Sequence, residues 1–217
     1  MPLRITEKTF EINFVRYYQQ QSNLVWVGTS LQEERGVGWD CGIVHKLAPS
    51  SMISYFQFKR PFGIEPRPHN MFKFRFKINT NVTRDQHRIL TYLASSKPNS
   101  VFYALPCLNQ MSDLCTDPFP TELYALLDIN QPEFGRINMN QPHEIEIDNV
   151  SITNRFIPNV ATLSSEEHQK VKIIPAAKLV QKNLSGLTRN EFIELIKNSD
   201  KLDLGKSSKR LNLLIQL

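Results

Sequence analysis

Apolar and polar positions alternate with two different periods along this chain, and the switches between them mark out its elements. From Thr6 to about Gln20, Phe10, Phe14, Tyr17 and Tyr18 recur at helical spacing, which predicts an amphipathic first helix. "LVWVG" at 24–28 is a short apolar run closed by Gly28 and reads as a buried strand. Ser30 with Glu33 has the form of a capping box, so a helical turn is expected up to Arg35, where "GVGWD" breaks it. "DCGIVHKL" and "SMISYFQFK" are the next two strands, joined by a turn at "APSS". "RPFGIEPRPHN" carries Pro61, Pro66, Pro68 and Gly63 and is expected to be loop. In "MFKFRFKI" the period is two: Phe72, Phe74, Phe76 and Ile78 face a core, and Lys73, Arg75 and Lys77 share the other face.

Thr83 is placed to cap a helix from Arg84 to about Ser96 with Ile89, Leu90 and Leu93 as its apolar stripe, and "VFYALP" follows as a buried strand stopped by Pro106. From 111 to 160 the chain is rich in Pro, Asn and Asp, with one clear strand pattern at "HEIEIDNV". A last helix is expected at 188–198, with Thr188 as N-cap and Phe192, Leu195 and Ile196 as its apolar face, before the apolar tail "LNLLIQL". These elements predict an α/β (α+β) fold, a mixed central sheet flanked by helices over 1–110, with 111–217 packed on it as an extension of one compact domain. There is no internal repeat.

Composition changes this picture little. With 217 residues, 41% of them hydrophobic and 22% charged, the chain has the make-up of an ordinary globular domain. The N-terminal segment "MPLRITEKTFEI" has no uninterrupted apolar stretch and nowhere do enough apolar residues follow one another for a membrane span, so a cytoplasmic protein without a membrane role is expected. Cys41, Cys107 and Cys115 are odd in number and lack C-x-x-C spacing, and read as small buried hydrophobes.

Charge is more informative in its distribution than in its net value of +5. Residues 1–110 hold 14 Lys/Arg against 7 Asp/Glu, residues 111–160 hold 2 against 8, and residues 161–217 hold 10 against 6. A positive field thus sits in the first half, and the acidic stretch would repel phosphate and faces elsewhere.

The first half also holds the candidate chemistry. Residues two apart on a strand point the same way, so Gln57 and Lys59 of "YFQFKRP" project from one face. If the "WDCGI" strand is the neighbouring hairpin arm, Asp40 reaches the same sheet edge. A carboxylate, an amide oxygen and an ammonium group then converge beside a basic loop. Phosphodiester hydrolysis asks for such a set: oxygen ligands for a divalent cation and a positive charge to stabilise the transition state. Asp40 would be the main ligand of Mg2+ or Mn2+, Gln57 a neutral one, and Lys59 would orient the attacking water or the scissile phosphate.

The order helix, strand, strand with Asp, strand with Gln-x-Lys, helix, strand resembles the core of the PD-(D/E)XK restriction-endonuclease-like superfamily. "GWD" followed by "QFKRP" is similar to its methyl-directed-restriction branch, in which Gln replaces the usual Glu. The resemblance covers about residues 6–106; it departs from the family in having no Pro before Asp40. It implies that a Glu from the first helix joins the site: Glu34, which is preferred, or Glu33, or, if the first helix spans 6–20, Glu7 or Glu11. It further implies a metal-dependent DNA endonuclease of restriction or anti-phage type, working as a homodimer or with a partner protein. The alternative is an inactive nucleic-acid-binding or assembly subunit on the same fold. A third reading, an interaction protein of unrelated α+β fold, holds if 38–59 is not a hairpin.

Arg60, Lys73, Arg75 and Lys77 are the candidate nucleic-acid contacts, within a run from Lys59 to Arg88 that has 8 Lys/Arg against Glu65 and Asp85. A row such as Lys73, Arg75, Lys77 is more often a solvated sheet face or a protected edge than a binding stripe. His87 is expected to be a satisfied or surface histidine, and His143 with Glu144, Glu146 and Asp148 a solvent face rather than a metal ladder. P-loop, G-x-G-x-x-G, G-x-S-x-G and H-E-x-x-H motifs do not occur.

Overall fold

The computed structural model describes residues 6–19, 24–28, 38–47, 50–78, 86–96, 98–108, 114, 123–138, 140–152, 155–163 and 169–175. These form a mixed α+β structure made mostly of strands, with two sheets and few helices. The expected helical turn at 30–35, the N-cap Thr83, the last helix at 188–198 and the tail at 211–217 lie outside the described residues.

The first helix, α1 (Glu7–Gln19), begins where the Thr6 hydroxyl accepts the Thr9 N–H at 3.2 Å, which satisfies one of the otherwise orphaned donors of its first turn. Its apolar stripe, Phe10, Phe14 and Val15, is buried against one face of the first sheet. That sheet opens with an antiparallel meander: β1 (Leu24–Gly28), β2 (Cys41–Leu47) and β3 (Ser50–Phe58). The hairpin expected across 38–59 is therefore present, with Cys41 opposite Phe56.

Between β3 and its next neighbour the chain leaves the sheet. It runs through β4 (Pro61–Pro66), β5 (Phe72–Ile78) and the second helix, α2 (Gln86–Ser96), then returns as β6 (Val101–Pro106), which pairs parallel to β3 with Phe58 opposite Ala104. Such a crossover is what parallel pairing requires. β7 (Tyr124–Asp128) and β11 (Ile173–Pro175) complete the sheet in the order β1-β2-β3-β6-β7-β11. The second sheet is antiparallel, β10-β9-β8-β5-β4, and adds β8 (His143–Ile152), β9 (Arg155–Leu163) and β10 (Gln169–Val171).

The larger core lies between the two sheets. Ile53 and Tyr55 of β3, Tyr103 and Leu105 of β6 and Leu127 of β7 meet Phe74 and Phe76 of β5 and Ile145 and Ile147 of β8, while Leu90 and Leu93 of α2 join the same cluster. β6 is buried on both faces, which explains its unbroken apolar sequence, and β3 is buried on both faces from Ile53 to Phe58. Among the described residues of β3 the buried polar exceptions are Ser54 and Gln57.

Two expectations are corrected. "PFGIEP" is a strand, not loop: β4 lies at an edge of the second sheet, with Pro61 and Pro66 at its two ends and a register shift between Pro61 and Gly63, positions where a missing N–H costs no ladder bond. The region 111–160 supplies β7 and the start of β9 in addition to the expected strand at "HEIEIDNV". Strands from beyond residue 110 complete both sheets, so among the described residues those before and after residue 110 share one pair of cores. No helix among the described residues is long and apolar enough to cross a membrane.

Candidate functional site

Asp40 stands just before β2, and its backbone N–H donates to the Phe56 carbonyl at 2.9 Å, so the hairpin pairing holds the residue in place. Cys41 points into the α1-side core, and the alternation of the strand turns Asp40 to the other face. There its Oδ2 accepts two hydrogen bonds, one from the Phe58 backbone N–H at 2.6 Å and one from Gln57 Nε2 at 2.8 Å. Asp40 is 8% exposed and Gln57 is fully buried. A charged carboxylate this deep is tolerated because donors meet it.

Lys59 follows β3, and its N–H still donates to the Ala104 carbonyl at 3.3 Å. The extended backbone therefore continues past Phe58 and carries Lys59 to the Gln57 face. Lys59 is 8% exposed, and among the described residues it makes no ion pair.

One further side chain belongs to this cluster and carries no motif in the sequence. Gln86, the first residue of α2, donates from Nε2 to Gln57 Oε1 at 2.8 Å. The turn that delivers Asp40 is seated against the same helix start: Gly38 has φ +77°, and a Cβ there would stand 3.2 Å from the Gln86 carbonyl oxygen. Only the spacing of a glutamine at the beginning of the helix after the Gln-x-Lys strand could have suggested Gln86, and glutamine is common at such places.

Of the acidic residues considered for the site, Glu33 and the preferred Glu34 lie outside the described residues. The helix spans Glu7–Gln19, and it sets Glu7 at the end of β3, where Glu7 Oε1 accepts the Arg60 N–H at 3.2 Å. Glu11 is buried and pairs with Lys8 at 2.6 Å. Among the described residues, no three His, Cys, Asp or Glu side chains form a group that could hold a metal ion.

Oxygen donors are nonetheless present. Asp40 Oδ2 and the Gln57 amide face each other across 2.8 Å, close to the separation of roughly 3 Å that neighbouring ligands keep around an octahedral magnesium ion. The amide presents its N–H to Asp40, so it has to turn by half a revolution before both groups offer oxygen. With that rotation Asp40 and Gln57 would each offer one oxygen to the same point.

The candidate nucleic-acid contacts are not brought together as a free basic stripe. On the outer face of the second sheet Lys73 pairs with Glu146 at 2.7 Å, and Arg75 with Glu144 at 2.7 Å and Glu65 at 3.4 Å. The Glu144 carboxylate raises the Arg75 pKa further. The Lys77 ammonium and the Arg75 guanidinium lie 4.7 and 5.0 Å from the ring centre of Phe62. The basic row of β5 and the acidic row of β8 are thus cross-strand partners. Arg60, next to Lys59 in the chain, is exposed.

His87 is buried and stacks on Tyr103 with ring planes 8° apart. The Tyr103 hydroxyl stands 2.7 Å from Nδ1 and the Phe134 carbonyl 3.5 Å from Nε2, a pattern that fits the neutral ring with its proton on Nε2. Burial pulls its pKa down to about 4, with His143 adding repulsion against a Phe134 carbonyl that favours the cation. His143 is buried too, and its Nε2 lies 2.6 Å from the Asn138 carbonyl, away from the carboxylates that follow it. Comparison with protein-family models, with curated proteins and with solved structures finds no significant match for the chain.

Proposed function

We propose that the chain is a divalent-cation-dependent DNA endonuclease of restriction or anti-phage type on a PD-(D/E)XK-like scaffold. The observation that carries this reading is the buried meeting of Asp40 with Gln57 at the end of β3, with Lys59 next on the same face. The element order supports it as well: α1, an antiparallel β1-β2-β3 meander, and a crossover through α2 to a β6 that runs parallel to β3. These elements follow one another as the resemblance leads one to expect, with β4 and β5 of the second sheet inserted between β3 and α2.

A bound magnesium or manganese ion would supply Lewis-acid polarisation of the phosphodiester and a more acidic water. Asp40 and the turned Gln57 amide would hold that ion. Lys59 brings an ammonium group to a site sheltered from solvent, where it stabilises charge on the phosphate oxygens more strongly than it would in water. Arg60 and the open end of β3 receive the backbone of the nucleic acid. Glu7 of the first helix accepts the Arg60 backbone N–H, one residue along from Lys59.

A second reading has its own support. The Asp40 carboxylate accepts the Phe58 N–H and the Gln57 amide, an arrangement that serves equally to fasten β2 to β3 in a non-catalytic nucleic-acid-binding or assembly subunit. Cleavage of plasmid and linear DNA in magnesium or manganese separates the two. The nuclease reading expects cutting by the parent protein and none by Asp40→Asn or Lys59→Met. Salt-dependent retardation of DNA with no cutting transfers the case to the binding subunit.

A further inference from the structure

Three side chains form a polar chain through the site: Gln86 donates to Gln57, and Gln57 donates to Asp40, each at 2.8 Å. Gln57 is fully buried, so both ends of its amide depend on protein partners. An amide exchanges donor for acceptor by turning about its last bond, with no change of charge or shape. Asp40 Oδ2 can accept only one end of it. A cation held by Asp40 attracts only the other.

We propose that Gln86 is the positioning residue of this site, the partner that lets Gln57 adopt either orientation. Without a cation, Gln57 turns its N–H to Asp40 and its oxygen to Gln86, as in the structure. With a divalent cation at Asp40, Gln57 turns its oxygen to the cation and its N–H to Gln86, which rotates in step and accepts through its own oxygen. Gln57 Nε2 also donates to the Phe58 carbonyl at 3.2 Å, a longer bond that the reversal gives up, so the partner Gln57 keeps in both states is residue 86. Gln86 can do this because its backbone is fixed: the Gly38 turn sits against its carbonyl, and the next residue, His87, is locked in the core. The inference rests on the cation-dependent reading above and adds the residue that regulates it.

The test reads cation binding, not cleavage. Manganese binding is measured by electron paramagnetic resonance of the free ion, and the side-chain amide signals of Gln57, assigned from their loss in Gln57→Met, are followed by NMR during a magnesium titration. The parent protein should bind manganese and shift the Gln57 amide signals as magnesium is added. Gln86→Met, of similar length but without polar ends, should weaken manganese binding by about tenfold, as loss of a ligand-orienting partner does elsewhere. Gln86→Glu, which can only accept, should bind at least as tightly as the parent and serves if Gln86→Met fails to fold. Parent-like manganese binding by Gln86→Met, or weaker binding by Gln86→Glu, overturns the role of Gln86 and leaves the cation reading standing. A parent protein that binds no manganese overturns both.

Discussion

Asp40 and Gln57 lie 17 positions apart in the chain and are joined by a 2.8 Å hydrogen bond in the buried end of a hairpin. The same Asp40 oxygen takes the Phe58 N–H, so the carboxylate has a structural task whatever chemistry it performs. Asp40→Ala leaves that backbone donor without its partner and should destabilise the fold by about 2 kcal/mol, the usual cost of orphaning a buried donor to a charged acceptor. Asp40→Asn keeps one oxygen for the Phe58 N–H and should cost less. Chemical denaturation of the two variants checks the order, and Asp40→Asn is accordingly the cleaner probe of function.

Gly38 carries a second expectation. Its φ of +77° is a left-handed conformation, and a side chain would crowd the Gln86 carbonyl at 3.2 Å. Gly38→Ala should lower stability by about 1–2 kcal/mol from backbone strain, with crowding added to it. The Gln57 amide signals should move in the same variant, because the turn and α2 converge on that side chain. Unchanged signals would separate the turn from the site.

Stability should depend on pH through His87. Its folded pKa, about 4, lies below the ordinary value of 6.5, so the unfolded chain binds a proton that the folded chain refuses. The stabilisation is complete above about 6.5 and is lost as pH falls toward 4. The full span is on the order of 3 kcal/mol. His87→Phe should flatten this part of the curve relative to the parent, as measured by thermal melts at stepped pH.

Phe14 is the centre of the α1-side core, with the rings of Phe56, Phe58 and Tyr124 at 5.3, 5.3 and 5.1 Å. Phe14→Ala should cost about 3–5 kcal/mol, as removal of a buried ring generally does. Because Phe58 lies between this core and the Asp40 oxygen, the variant should also loosen the site, read as faster exchange of the Phe58 amide proton.

The charged rows give a prediction about DNA. Lys73 and Arg75 already answer to Glu146 and Glu144, so Lys73→Ala combined with Arg75→Ala should change the salt dependence of DNA retardation little. Arg60 is exposed beside the site, and Arg60→Ala should reduce the salt slope by about one phosphate contact. A large effect from the double variant would move the DNA surface to the second sheet.

The sequence was most legible where a segment's period matched its burial. Phe10 and Phe14 announced α1, and Phe74 and Phe76 announced β5 with its core face, because each element has one face to water. Asp40 and Gln57 could be set side by side because strand alternation and a hairpin suffice to do it. β7 was missed because "YALLD" is buried on both sides and shows no alternation to read. β4 was missed because its prolines mark an edge strand as readily as a loop. The pairing of Arg75 with Glu144 was hidden in two separately recognised stripes, since nothing local says that β5 and β8 are neighbours. Gln86 escaped because a single amide makes its meaning by what it touches.

The excursion between β3 and β6 has a consequence for how the chain assembles. β5 lacks one of its two sheet neighbours until β8 pairs with it, Phe74 and Phe76 stay exposed until the first sheet covers them, and β6 must close against β3 across everything that intervenes. During synthesis, the first half leaves the ribosome with its most aromatic strand still waiting for a partner encoded much later. Such long-range closure makes for slow folding and a prolonged window for aggregation. Recovery of this protein in soluble form should therefore respond to lower expression temperature and to added chaperones more than to any change at its surface.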